Sequence, residues 1–135
     1  MSQVKVKWVG GKQFVGTDST SHSLVMSSSE EGTGLKPSDL LLLGLGGCTG
    51  VDVISILEKE REKVTGLEIT ITGEQEPEPP WAFRRIHVEY LLRGRGLKGE
   101  AVRRAIQLSE EKYCSVGATI SGVAKMASSF KIVEE

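Results

Sequence analysis

No stretch of this sequence is harder to accommodate than the one that opens at Pro37 and runs through Leu40, Leu41, Leu42, Leu43 and Leu45, past Gly46-Gly47-Cys48-Thr49, to Val53, Ile54, Ile56 and Leu57. Proline suits the first position of a helix and Asp39 suits its first turn, so a helix is predicted from Pro37. Its first half is apolar on every side; an amphipathic period emerges only at Val53, before the charged run Glu58 to Lys63, which reads as a solvated end. Such a helix needs cover all round, which makes it the central helix of a core. The uncharged part, Leu40 to Val51, is closed by Asp39 and Asp52 and falls short of the ~20 apolar residues that span a bilayer, so no membrane segment is expected. Gly44, Gly46, Gly47 and Gly50 each cost up to about 1 kcal/mol of helix propensity relative to alanine. Either a second backbone packs closely there, or a pocket surrounds Cys48, or the helix breaks near Gly46-Gly47.

Strands flank this helix. Val4, Val6 and Trp8 alternate with Lys5 and Lys7, Gly10-Gly11 supplies a tight turn, and Lys12 to Gly16 returns, so the chain opens with a hairpin and adds a third strand around His22 to Met26. Thr65-Gly66 is the expected stop of the helix. Beyond it, Leu67, Ile69 and Ile71 form one alternating run and Ile86, Val88, Tyr90 and Leu92 another, paired across the loop that holds Pro77, Pro79 and Pro80. Ala101 to Tyr113 has helical spacing and delivers Cys114; Val116 to Ala127 suggests a third helix and Phe130 to Val133 a last strand. Three strands, a helix, two strands, two helices and a strand indicate an α+β fold rather than a parallel sheet of βαβ units. With 135 residues and no linker or repeat, the chain reads as one domain over 1–135.

Composition removes several functions. Seventeen Lys+Arg against eighteen Asp+Glu leave a net charge of -1, so no nucleic-acid partner is expected. The alternating start lacks the unbroken apolar stretch of a signal peptide, and a cytoplasmic protein is expected. Two cysteines are too few for a disulfide scaffold, so any thiol chemistry rests on Cys48 and Cys114. With His22 and His87 they show no CxxC or HxxxH spacing, and no metal site or cofactor is expected. The histidines receive no role. Gly94-Arg95-Gly96 lacks the strand and third glycine of a nucleotide fingerprint. A cytosolic cysteine is ordinarily a small buried hydrophobe. Cys48 differs, because a polar Thr49 and four glycines fill a core poorly but let a small substrate approach the sulfur.

Pro37-Ser38-Asp39-Leu40, Leu45-Gly46-Gly47-Cys48-Thr49, Val53-Ile54-Ser55-Ile56-Leu57 and Lys112-Tyr113-Cys114-Ser115-Val116, taken together, closely resemble the OsmC/Ohr family of thiol-dependent peroxidases over nearly the whole chain, nearest its OsmC-like branch. The resemblance implies antiparallel sheets around a long central helix in a domain-swapped homodimer, with active sites at the subunit interface. It assigns Cys48 as the peroxidatic thiol and Cys114 as the resolving one. The family's hairpin arginine falls at Lys12 and its glutamate at Ser38, with Asp39 adjacent; the first arginine of the chain is Arg61. A lysine is a flexible point charge where arginine is a planar fork, and Ser38 has no carboxylate, so activation of the thiol is expected to be weaker. Neighbouring helix residues point about 100° apart, so Asp39 does not inherit the direction of position 38.

The activity implied is reduction of an organic hydroperoxide to its alcohol, with a Cys48 sulfenic acid resolved by Cys114 and reset by a lipoyl-type dithiol. Leu41, Leu45, Trp81 and Phe83 are candidates for an apolar substrate pocket, Trp81 and Phe83 equally for caps on the core. Two alternatives stay open: a noncatalytic redox-sensing or ligand-binding dimer of the same fold, and a scaffold whose cysteines are inert.

Overall fold

The computed structural model describes residues 1–135 and divides into two compact units, Met1–Leu41 and Leu42–Glu135. In the first unit, β1 (Lys5–Trp8), β2 (Gln13–Thr17) and β3 (Ser23–Ser27) form an antiparallel sheet in that order. Gly10 and Gly11 turn the hairpin at φ 108° and 53°, a region glycine enters without strain. The Ser27 hydroxyl accepts the Thr33 and Gly34 N–H groups and pins the following loop against β3. Ser27 is also the one buried residue of this unit; Val4, Val6, Trp8 and Val25 are exposed, so the sheet carries apolar side chains without enclosing a core of its own.

Helix α1 (Pro37–Lys59) starts at the proline and runs unbroken through all four glycines. Close packing accounts for two of them: a Cβ on Gly46 would come within 2.9 Å of Ile71 Cδ1, and one on Gly50 within 3.3 Å of Ile69 Cδ1. The helix stops before the expected Thr65-Gly66. Arg61 takes a left-handed φ of 60°, the charged run is divided by that turn, and β4 (Lys63–Gln75) has already begun at Lys63. By length and composition α1 is long enough and apolar enough to cross a membrane, which the count from Leu40 to Val51 understated by stopping at two aspartates. Only a single stripe of it, Leu45, Thr49, Val53 and Leu57, is buried within the chain, while Leu43 and Val51 are exposed.

In the second unit, β4 pairs antiparallel with β5 (Phe83–Arg95) as a long hairpin, and β5 is central in the order β4-β5-β6. Ile86, Val88, Tyr90 and Leu92 alternate inward along β5, as their period of two predicts, and join Val53 and Leu57 with Val102 and Ala105 of α2 (Gly99–Leu108) in one core. Each fully buried aliphatic side chain there contributes about 1.5–3 kcal/mol.

After α2 the chain makes a π-helical turn, Ser109–Tyr113, then a short α3 (Ser115–Ile120) and β6 (Lys125–Glu134). The third helix is thus shorter than its apolar spacing suggested, and the final strand longer. One pair departs from the antiparallel expectation: β6 lies parallel to β5, because the intervening helices carry the chain back to the end where β5 began.

Candidate active site

The stripe that α1 buries determines which side chains face the second unit's interior and which sit at its margin. Cys48 and Asp52, four positions apart, form the row beside the buried one and share a side of the helix. Cys48 is half-buried. Cys114 arrives from the opposite direction, at the junction between the π-helical turn and α3, where its own N–H donates to the Ser109 carbonyl at 2.8 Å and its sulfur accepts the Gly117 N–H at 3.3 Å. It is fully buried. The π turn, with its i to i+5 bond, swings position 114 toward the helix; such turns recur at functional sites.

The result is that Cys48 Sγ, Cys114 Sγ and a carboxylate oxygen of Asp52 lie within 4.8 Å of one another. Both thiols are free. Their protonation is driven apart. Burial pushes the Cys48 thiol up, but hydrogen bonds from the Val116 N–H, the Cys114 thiol, and the Ser115 hydroxyl and N–H outweigh it, leaving Cys48 below the ordinary thiol range. Cys114 is pushed up to about 11, first by burial, then by its hydrogen bond to Cys48 and by the charges of Cys48 and Asp52 against the opposing Gly117 N–H. One sulfur is prepared to be a thiolate and the other to keep its proton.

A buried hydroxyl chain adjoins the sulfurs. Ser109 Oγ donates to Asp52 Oδ2 at 2.8 Å, Ser109 Oγ and Thr49 Oγ1 are 2.8 Å apart, and Thr49 Oγ1 and Tyr90 OH are 2.8 Å apart. Each hydroxyl has one proton to give. Since that of Ser109 goes to the carboxylate, Thr49 donates to Ser109 and Tyr90 to Thr49, a single direction ending on Asp52. Burial, foremost, holds the Tyr90 hydroxyl up at about 12, so it stays a donor.

A cavity of about 270 Å³ opens beside these groups, lined by Leu45, Thr49, Tyr90, Cys114 and Met126 among others. Of the four residues suggested for an apolar pocket, only Leu45 lines it. Leu41 is exposed and belongs to the first unit, Trp81 is exposed in a left-handed turn, and Phe83 packs against Gly73 and the side of the core. Lys12, Ser38 and Asp39 also lie in the first unit. The sequence reading passed over Asp52, Ser109, Ser115 and Val116. Asp52 was legible as the partner of Cys48 one helical turn on, but it had served only to bound the apolar stretch. The same three donors, Cys48, Asp52 and Cys114, are the group that could hold a thiophilic cation, and no close Cys or His spacing in the sequence marks it.

One expected result follows from the two thiols alone. With iodoacetamide at rising pH, Cys48 should label first, with a midpoint below that of a free thiol, since only the thiolate reacts. Cys114 should label only at higher pH than Cys48, because burial holds its proton on. Peptide mass mapping reads both, and equal midpoints would show that the two environments do not differ.

Residues 30–128 match the family described as OsmC-like protein. The chain is 37% identical over 131 residues to protein YhfA of Escherichia coli K12, covering 97% of this chain and 98% of that one. Its fold is similar to that of a hypothetical protein from Aquifex aeolicus VF5, with TM-score 0.91, 28% identity and coverage of 100% and 98%. It is also similar to the organic hydroperoxide resistance protein OhrB of Bacillus subtilis, with TM-score 0.64, 16% identity and coverage of 97% and 98%; at that identity the likeness concerns the fold alone.

Proposed function

This chain belongs to the OsmC-like protein family, and on that premise we propose that it is a thiol-dependent peroxidase that reduces organic hydroperoxides through Cys48, with Cys114 as the resolving thiol. The observation that carries the reading is the approach of two free thiols, 66 positions apart in sequence, with opposite protonation preferences and sulfurs within 4.8 Å.

The chemistry balances with these groups. The Cys48 thiolate attacks the distal oxygen of the hydroperoxide; the O–O bond breaks, the alkoxide takes a proton and leaves as the alcohol, and Cys48 is left as a sulfenic acid. Cys114 then attacks the Cys48 sulfur, the S–O bond breaks, and water leaves as the disulfide forms. A dithiol of the lipoyl type returns two electrons and restores both thiols. Backbone and hydroxyl donors of Ser115 and Val116 supply the stabilisation of the Cys48 thiolate. Leu45, Val88 and Met126 give the cavity that Cys114 lines an apolar wall suited to a carbon tail, while Cys48 lies outside that lining. A second copy of the chain completes the molecule, since the first sheet and much of α1 leave apolar side chains uncovered.

The test uses the reduced protein and one equivalent of an organic hydroperoxide, followed by mass spectrometry. A Cys48–Cys114 disulfide, equimolar alcohol, and repeated turnover once a dithiol is added are the expected results. Lys12 and Ser38, standing where the family's arginine and glutamate fall, favour the second reading, a redox sensor of the same fold. That reading predicts slow oxidation to the disulfide without sustained turnover.

A further inference from the structure

We propose that Cys48, Asp52 and Cys114 form a binding site for a thiophilic divalent cation of the zinc class, which ties up both thiols when bound; this goes beyond the peroxidase reading and stands independently of it. Cys48 and Asp52 lie four positions apart on α1, the spacing by which one helix face presents two ligands to a single ion. Cys114 supplies the third from the junction of the π-helical turn and α3. All three belong to the second unit, and their ligand atoms lie within 4.8 Å of one another. Around a tetrahedral zinc ion, with Zn–S near 2.3 Å and Zn–O near 2.1 Å, two such atoms stand about 3.6–3.8 Å apart, so a closing movement of about 1 Å or less completes the set. Asp52 hydrogen-bonds to Ser109 and to neither sulfur, so an ion there displaces no contact between carboxylate and thiol.

Two further features favour a cation. The first is charge. As ligands the two thiolates and the carboxylate carry three negative charges, yet no Lys, Arg or His forms an ion pair with Asp52. Lys59 lines the same cleft as Asp52 without pairing with it. The second is an outer ring of donors. Ser109 Oγ donates to Asp52 Oδ2 at 2.8 Å, the Gly117 N–H donates to Cys114 Sγ at 3.3 Å, and Ser115 and Val116 donate to Cys48. Each ligand thus has a hydrogen-bond donor of its own, the arrangement that orients metal ligands and offsets their charge. The buried run from Tyr90 through Thr49 fixes Ser109 in turn. Cys48 and Asp52 are only half-buried, and a cleft of about 400 Å³ lined by Asp52, Ser55 and Tyr113 gives an ion its entry and leaves water the fourth position.

The donor set selects the ion. Mg²⁺ and Ca²⁺ take six or more oxygens, whereas two thiolates suit zinc and its soft relatives. On binding, the two thiol protons pass to solvent, two Zn–S bonds and one Zn–O bond form, and no electrons move. With both sulfurs on the ion, Cys48 has no free thiolate for an oxidant, so cation and oxidant compete for the same pair.

The test titrates Zn²⁺ into the reduced, chelator-stripped native protein in competition with a chromophoric chelator. One ion per chain is expected, and Co²⁺ in its place should give a thiolate-to-metal charge-transfer band. One equivalent of Zn²⁺ should also shield Cys48 of the native protein from iodoacetamide, and EDTA should restore labelling, a readout that needs no variant. Asp52→Asn should weaken binding by at least about tenfold, since the loss of a mere outer partner already costs that much. Cys114→Ser should weaken it further, and His22→Ala combined with His87→Ala should leave it unchanged. A native protein that binds no zinc, a Co²⁺ complex without the thiolate band, or an affinity unchanged in both Asp52→Asn and Cys114→Ser overturns the proposal. Zinc held by these donors in a chain that turns over no hydroperoxide would keep this inference and remove the peroxidase reading.

Discussion

A Cys48→Ser protein is expected to consume no organic hydroperoxide above the rate of free solution, whereas Cys114→Ser is expected to consume one equivalent per chain and then stop. The asymmetry follows from the division of labour between the sulfurs. A serine hydroxyl at position 48 keeps its proton at neutral pH whatever donors surround it, because the Val116 and Ser115 hydrogen bonds that favour a thiolate are far too weak to produce an alkoxide. Removing Cys114 takes away the attacking thiol but leaves Ser115 and Val116, so the first oxidation proceeds and the product is a chain heavier by one oxygen, held as a sulfenic acid. Cys114→Ser exchanges the thiol donor to Cys48 for a hydroxyl donor, so its first turnover should stay close to that of the native protein. Turnover retained in Cys48→Ser would exclude the nucleophile assigned here.

Which parts of this were legible in the sequence can be traced residue by residue. The alternation of Ile86, Val88, Tyr90 and Leu92 announced both the strand and its buried face, because a period of two leaves no other arrangement with Arg85, His87 and Glu89 in water. Pro37 marked the start of α1, and Gly10-Gly11 the first hairpin. The glycines of α1 were ambiguous because propensity counts only their cost; the compensating contacts, Ile69 and Ile71 of β4, are visible only after folding. The length of α3 was misjudged since Val123 and Ala127 continue a helical spacing by coincidence, while β6 draws Lys125–Glu134 into the sheet. At the site, local pattern exposed Cys48 through its unusual neighbours. Its pairing with Cys114 came from resemblance and not from spacing, and the hydroxyl chain on Asp52 joins positions 49, 52, 90 and 109, a constellation that no local window contains.

In sedimentation equilibrium the native protein is expected at about twice the chain's 14.6 kDa, and Val51→Glu at the monomer mass. The first half of helix α1 is apolar all round, yet only the stripe Leu45, Thr49, Val53 and Leu57 is buried along its length, leaving Leu43 and Val51 54% and 68% exposed. The first sheet repeats the pattern with Val4, Val6 and Trp8, in a unit whose only buried residue is Ser27. Scattered apolar residues are common on monomer surfaces, but a three-stranded sheet and a helix that each carry a run of exposed apolar side chains are surfaces that a second copy is expected to cover. A second copy of this chain brings the same two surfaces in the same proportion, and a twofold interface needs nothing else. If Val51 is buried in that interface, a glutamate there is an unpaired charge costing about 3–5 kcal/mol, which at about 1.4 kcal/mol per tenfold weakens association by more than two orders of magnitude. Val51→Leu, of the same chemistry and slightly larger, should remain dimeric. A native protein at the single-chain mass would mean that these faces stand in water, and the proposed assembly would be wrong.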